Sequence, residues 1–157
     1  MSVRAEPHPD AVDAPATEFK DAMSAVAAGV VLVVTSVDGR LWGTTVTSFA
    51  SVSADRPTVV VSLRAGSTAE RAIDRAGWFG VLVLGADQLE LAQACAVPGV
   101  EKFLVPAAFA GALAMLTCSV DRTLAVEDHT LLIARVRTAR PAGRSAAPLL
   151  HQRRRYM

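Results

Sequence analysis

The segment Val30–Ser48, VVLVVTSVDGRLWGTTVTS, constrains the fold more than any other part of the chain. Val30 to Val37 is a β-branched and aliphatic run too apolar for a half-exposed strand, so it reads as a strand buried on both faces. Asp38-Gly39 follows, a dipeptide suited to a type I′ turn because both central residues there need positive φ. The chain then resumes strand character from Arg40 to Ser48. The fold is organised round this hairpin.

The rest of the pattern is consistent with a mainly β domain. Residues 1–16 are rich in Pro, Ala and Asp without periodicity and read as a flexible N-terminal arm. From Thr17 to Ala28 the spacing of Phe19, Met23, Val26 and Ala27 predicts one apolar helical face, with Thr17 as N-cap and Gly29 as the stop. Thr58 to Leu63 reads as another buried strand after turn residues Ser53 to Pro57. Ser67 and Glu70 have the spacing of a capping box for a helix over Thr68 to Ala76, closed by Gly77. Trp78 to Leu84 returns to strand. Asp87 and Glu90 repeat the capping spacing for a helix over Gln88 to Ala96, broken by Pro98-Gly99. Leu113 to Val120 and Thr130 to Thr138 read as strands, and Pro148 to Tyr156 as an edge strand. Roughly six or seven strands with short helices favour a barrel, and α/β layering is the competing architecture because two helices lie between strands.

Several function classes are disfavoured. The chain has 157 residues, the size of one domain, placed here at 17–157. Hydrophobic residues make up 52% of it, yet the longest apolar run is of strand length, so no membrane span is expected. The N-terminus alternates acids and prolines where a signal peptide would need a basic start and an apolar stretch, so a cytoplasmic location is expected. Cys95 and Cys118 lack CxxC or histidine spacing and read as buried thiols. His8, His129 and His151 form no metal pattern with carboxylates. G-x-G-x-x-G, P-loop and G-x-S-x-G motifs are absent. Asp128 and His129 are sequence neighbours, and on a strand adjacent side chains point to opposite faces, so no relay follows from spacing.

All 15 acidic residues lie at or before Asp128, whereas seven of the 16 basic residues follow it. A basic tail could attract nucleic acid, but Tyr156 is the only aromatic accompanying Arg153, Arg154 and Arg155, and stacking platforms need several. Nucleic acid is therefore not the expected partner, and neutralisation of the acidic remainder is the simpler reading.

The stretch Gly43 to Ser53 carries the chemical signal. Short hydroxyl residues crowd the end of a strand and run into a loop, where they and the backbone amides could hold a polar ligand beside Phe49. An ordinary Thr-rich exposed strand fits the same composition. Ser67 at a helix N-terminus, with Arg64 near in sequence, could receive a phosphate or could be a plain cap.

FKDAMSAVAAGVVLVVTS, GTTVTSFASVSADRPTVVVSL, GSTAERAI, WFGVLVLGADQLELAQACA, EKF, LTCSV, DHTLLIARV and PLLHQRRRY occur in order from Phe19 to Tyr156. This series resembles the short-chain flavin reductases with an FMN-binding split barrel, the reductase components of two-component flavin-dependent monooxygenases. The resemblance implies a split β-barrel, FMN or FAD as flavin, NADH or NADPH as hydride source, a homodimer and a monooxygenase partner. It implies that Thr45, Val46, Thr47, Ser48, Phe49, Ala50 and Ser51 line the isoalloxazine and ribityl chain. Ser67 and Lys102 would hold the phosphate, with Phe103 walling the pocket. His129 would lie where nicotinamide stacks, as the catalytic candidate, with Arg155 and Tyr156 near the nucleotide. Hydride transfer between stacked rings needs position more than a protein nucleophile, which suits so sparse an inventory.

The chain departs from the family pattern in three places. Only LVPAAFAGA stands between Phe103 and Leu113, where the family usually has a longer loop. Glu127 and Arg154 replace two usual glycines. The shortened loop motivates a second reading, in which the barrel is reused in a biosynthetic pathway as a flavin-binding or cofactor-free enzyme that is not a reductase.

Overall fold

The computed structural model describes residues 12–143 and 145–157; residues 1–11 of the expected arm lie outside those described. In chain order the elements are α1 (Ala16–Ser24), β1 (Ala28–Gly29), β2 (Val31–Val37), β3 (Arg40–Val46), β4 (Phe49–Ser53), β5 (Thr58–Arg64), α2 (Thr68–Ala76) and β6 (Trp78–Val83). They continue with a 3-10 turn at Ala86–Gln88, α3 (Leu89–Ala96), a second 3-10 turn at Pro106–Phe109, β7 (Ala114–Val126), β8 (His129–Pro141), β9 (Leu150–Gln152) and β10 (Arg155–Tyr156). Among the described residues ten strands stand where six or seven were expected, because β4 and the short β1, β9 and β10 leave little periodic signal.

Seven strands form one sheet in the order β3-β2-β6-β7-β8-β5-β4, and every neighbouring pair is antiparallel. That excludes the competing α/β layering, which needs parallel neighbours. β3 and β4 are the two edges of this sheet, yet only Thr47 and Ser48 separate them in the chain. So short a link forces the sheet to roll until its edges almost meet, leaving an unpaired seam between them. This is the split of a split barrel. The small sheet β1-β9-β10 closes one side.

The hairpin forms as expected: Asp38 and Gly39 adopt φ of 50° and 74°, and Val37 pairs with Arg40. β2 is buried on both faces because it separates two cores. Val31 and Val33 face the barrel interior with Val61, Phe79, Val81 and Leu132, where Ala69 and Ile73 of α2 join them. Val30, Leu32 and Val34 face a second cluster built with Leu84, Ala92, Cys95 and Leu149.

α2 follows its sequence signals: Ser67 Oγ accepts the Glu70 N–H at 3.2 Å, and Gly77 at φ 72° closes the helix. Glu70 does not complete a reciprocal box with Ser67; its carboxylate accepts the Gly66 N–H at 3.2 Å and the Thr130 hydroxyl at 3.3 Å. α3 starts at Leu89 rather than Gln88, and the Gln88 side chain accepts the Gly85 N–H at 3.2 Å to hold the preceding turn.

Three expectations need correction. α1 begins at Ala16 with Pro15 at the N-cap, and ends at Ser24 rather than at Gly29, which lies in β1. The apolar residues of the expected helical face are not buried in the chain: Phe19 and Met23 of α1 are 59% and 50% exposed, and Val26 beyond it is 54% exposed. β3 ends at Val46, and Phe49 to Ser53, read as loop, is the edge strand β4 paired with β5. The single edge strand over 148–156 is a hairpin, with Arg153 and Arg154 at φ 49° and 62° in its turn. Both residues that replace usual glycines, Glu127 (φ 50°) and Arg154, sit in left-handed conformations, where a side chain costs about 1–2 kcal/mol.

Candidate functional site at the barrel split

Where β3 ends, the chain passes from one sheet edge to the other, and the seam opens into a cleft of about 400 Å³. Thr44, Thr45, Val46, Thr47 and Ser48 form one wall, and Ser62, Leu63, Arg64, Ser67 and His129 the other. Ser48 secures the crossing, because its hydroxyl donates to Ser62 O at 2.7 Å and its carbonyl accepts the Ser62 N–H at 3.1 Å. The Thr45 hydroxyl is engaged elsewhere, donating to Ala92 O of α3 at 2.7 Å.

A second hollow, about 470 Å³, meets the first at Thr44 and Ser67. Lys102 and Arg71 line it beside the start of α2. The first intrahelical bond there runs from Arg71 N to Ser67 O, so the Thr68 and Ala69 N–H groups precede the helical ladder and have no acceptor within it. Lys102 is placed by backbone pairing: Gly43 N–H donates to Lys102 O at 2.9 Å and Leu104 N–H to Leu41 O at 2.8 Å, so the segment runs along the β3 edge. A Cβ on Gly43 would lie 2.9 Å from Leu104 Cδ1, which is why glycine stands under that crossing.

Asp128 and His129 do not diverge as strand neighbours would, because Asp128 lies in the β7–β8 turn and only His129 begins β8. His129 Nδ1 is 2.8 Å from Asp128 Oδ1, and Asp128 Oδ2 is 3.4 Å from Arg64 Nη2. A carboxylate only accepts, so Nδ1 carries the hydrogen and Nε2 is left to act on a ligand. The hydrogen bond from His129, then its charge and that of Arg64, hold the Asp128 carboxyl below its ordinary value.

The single chain therefore brings Thr45 to Ser48, Ser67, Lys102 and His129 to the two connected hollows. It does not bring the others. Phe49 packs against the barrel interior, while Ala50 and Ser51 are exposed along β4. Phe103 meets Trp42 edge-on at 5.2 Å and lies under the Arg40 guanidinium at 3.7 Å. Arg155 and Tyr156 belong to the C-terminal hairpin, where the Tyr156 ring meets His151 at 5.2 Å. Burial of that ring raises the Tyr156 hydroxyl pKa. Thr44, within the hydroxyl-rich stretch, and Arg64, near Ser67 in sequence, both line the cleft, whereas Arg71 was missed as a site residue although its place one turn after Ser67 on α2 carried the signal.

Cys95 and Cys118 are free and buried; burial raises both thiols, Cys118 to about 11. Among the described residues no cluster of three metal-ligating side chains occurs, and no helix is long and apolar enough to cross a membrane.

The family profile described as "Flavin reductase like domain" matches residues 23–157. The chain is 36% identical over 156 residues to the NADH-dependent flavin reductase StyB of Pseudomonas fluorescens, covering 93% of this chain and 91% of that protein. Among solved structures it is similar to the styrene monooxygenase flavin reductase SMOB from Pseudomonas putida S12. The two share 33% identity and a TM-score of 0.80, over 89% of this chain and 96% of that one. The Streptomyces globisporus C-1027 NADH:FAD oxidoreductase SgcE6, solved in complex with NAD and FAD fragments, gives a TM-score of 0.80 at 25% identity over 90% of each chain.

Proposed function

The chain belongs to the flavin reductase-like domain family, and we propose that it reduces FMN or FAD with NADH or NADPH and supplies the reduced flavin to a partner monooxygenase. The observation that carries this reading is the seam cleft, in which Thr45 to Ser48, Ser67 and His129 converge beside the hollow holding Lys102. The donor set fits a flavin phosphate: unladdered N–H groups at the start of α2, the Ser67 hydroxyl, and the charges of Lys102 and Arg71. Bound flavin supplies the hydride acceptor, and the nicotinamide supplies the hydride.

The residues of the chain do the placing. Thr47 and Ser48 offer backbone and hydroxyl groups to the ring edge and ribityl chain, and Ser67 with Lys102 anchors the phosphate. His129, oriented through Nδ1 by Asp128, presents Nε2 for a hydrogen bond or proton where the second ring stacks. Residues 17–157 act as one domain. The exposed Phe19 and Met23 of α1, with Val26 just beyond it, support a homodimer, since a second copy would cover them. In that dimer Ala50, Ser51, Phe103, Arg155 and Tyr156 would serve the site only across the subunit boundary or by contact with the nucleotide's outer half, whereas the Phe49 side chain belongs to the barrel interior. Two free buried thiols suit a reducing cytoplasm.

The test is NADH and NADPH consumption by purified protein with FMN, FAD or no flavin, beside its absorbance spectrum. Turnover only with added flavin is expected. No turnover in any combination would overturn the reading and favour reuse of the barrel for another chemistry.

A further inference from the structure

We propose that the outer face of the barrel carries a second ligand site, a hollow over Gly80 that takes a planar aromatic carboxylate with its anion on Arg140. The hollow measures about 370 Å³ and shares no lining residue with the seam cleft or with the hollow beside it. Its floor follows from the strand register. Val34 pairs with Gly80, Gly80 with Thr117 and Thr117 with Thr138, so these residues form one row across β2, β6, β7 and β8. Phe79 and Val81, on either side of Gly80, pack into the barrel interior, so the row faces outward and has a gap at the glycine. Nothing in the fold calls for that glycine. Its φ is not positive, and a Cβ there would make only ordinary contacts, 3.5 Å from Leu116 O and 3.7 Å from Val34 Cβ. Glycine weakens a strand interior, and one that neither conformation nor crowding requires marks a place left open for another molecule.

The walls have the chemistry of an aromatic acid. Trp78 stands on the same face of β6 as the gap, and Met115 on the same face of β7 as Thr117. Phe109, at the end of the second 3-10 turn, closes a third side, and the segment that carries it is the one shorter than the family's usual loop. Trp78, Phe109 and Met115 are each half-buried, which leaves apolar surface for a flat ring to cover. Charge sits at one end only. Arg140 lines the hollow from β8, where it pairs with Met115. None of the lining residues is acidic, and among the described residues no carboxylate pairs with the Arg140 guanidinium. Arg137, its neighbour along the strand, is committed to the Ser119 hydroxyl at 2.7 Å. The Thr117 and Thr138 hydroxyls, on paired positions beside Arg140, supply further donors. A guanidinium meets a carboxylate by two parallel hydrogen bonds, so an apolar hollow with one such fork at its rim fits a flat ring that bears one carboxylate.

The probe is 2-naphthoate, with the uncharged 2-naphthamide as control, titrated calorimetrically into the natural chain, Arg140→Gln and Gly80→Leu, with and without saturating FMN. The naphthoate is expected to bind with a Kd of about 0.1 mM or tighter, and FMN to leave that value unchanged. Arg140→Gln should weaken the naphthoate about tenfold and the naphthamide by less than about twofold. Gly80→Leu, whose Cβ the strand accepts and whose branch fills the floor, should abolish binding of both. Arg140 is exposed, so its variant keeps the test alive if Gly80→Leu fails to fold. No binding of naphthoate to the natural chain, or equal weakening of both probes by Arg140→Gln, would overturn the site. Competition by FMN would place the probe in the seam cleft and overturn it too. If Gly80→Leu folded but sedimented as a smaller assembly than the natural chain, the hollow would seat a second copy of the chain and the proposal would fall.

Discussion

The middle of the seven-stranded sheet and its two edges are built from the same chain by opposite rules. In β2 and β6 nearly every side chain is aliphatic or aromatic, and each strand has a hydrogen-bonded neighbour on both sides. Where β3 runs out toward β4 the cleft is lined by the short hydroxyl side chains of Thr44, Thr45, Thr47 and Ser48, and one side of each strand has no sheet partner. Apolar burial makes the middle stable and chemically mute. The edges leave backbone groups and hydroxyls unsatisfied by the sheet, which is what a polar ligand requires. Stability and ligand binding should therefore respond to different substitutions.

The strongest test removes a large side chain from the middle. Phe79 is fully buried in the barrel interior, and Phe79→Ala should cost about 3–5 kcal/mol, read as a lowered urea midpoint, because the cavity cannot collapse between paired strands. Next comes the edge. Lys102→Ala should raise the flavin dissociation constant about tenfold or more through loss of a charge-assisted contact, while unfolding free energy stays within about 0.5 kcal/mol. If it destabilises the fold as Phe79→Ala does, the division between regions is wrong.

A smaller effect sharpens the rule for the middle by its exception. Thr35 is fully buried in β2, and its hydroxyl has no hydrogen-bond partner among the described residues. Thr35→Val keeps the shape and removes the unmet donor, so it should raise stability by about 1 kcal/mol, measured by thermal unfolding. The smallest effect belongs to the rim. Asp128 titrates below its ordinary 3.8 because His129 and Arg64 favour its charge. Whatever stability it adds is complete above 3.8 and disappears as pH falls through the lower folded value. The difference in unfolding free energy between the natural chain and Asp128→Asn should be flat at neutral pH and vanish only in acid. A difference that grew on the alkaline side would refute the assignment.

What could be read in advance follows from how far apart the interacting residues are. Asp38-Gly39 and Ser67-x-x-Glu70 announce a turn and a helix start because their partners lie within four residues, and both form. The split does not announce itself. Nothing in Phe49-Ala50-Ser51 says that it will pair with Val61, Val60 and Val59, or that β3 lies at the far edge of the same sheet. α1 shows the complementary failure: its apolar stripe is plain, but periodicity cannot say whether the covering surface belongs to the same chain. At the site, Thr47, Ser48, Ser67, Lys102 and His129 were indicated by resemblance and are gathered by the fold. The hydrogen bond of Asp128 to His129 depended on a turn whose geometry spacing could not supply.

The two-residue bridge from Val46 to Phe49 also sets a mechanical limit. Three Cα steps span at most about 11 Å, so the facing sheet edges are tethered at that point and cannot part further. The seam is then a slot with one end stitched, able to widen only away from the stitch. A ligand held beside the stitch therefore meets an aperture of nearly fixed width, and room for its entry and exit can be made only at the far end of the slot. Lengthening the bridge by a few glycines would trade that fixed aperture for a looser one, quickening departure at the expense of grip.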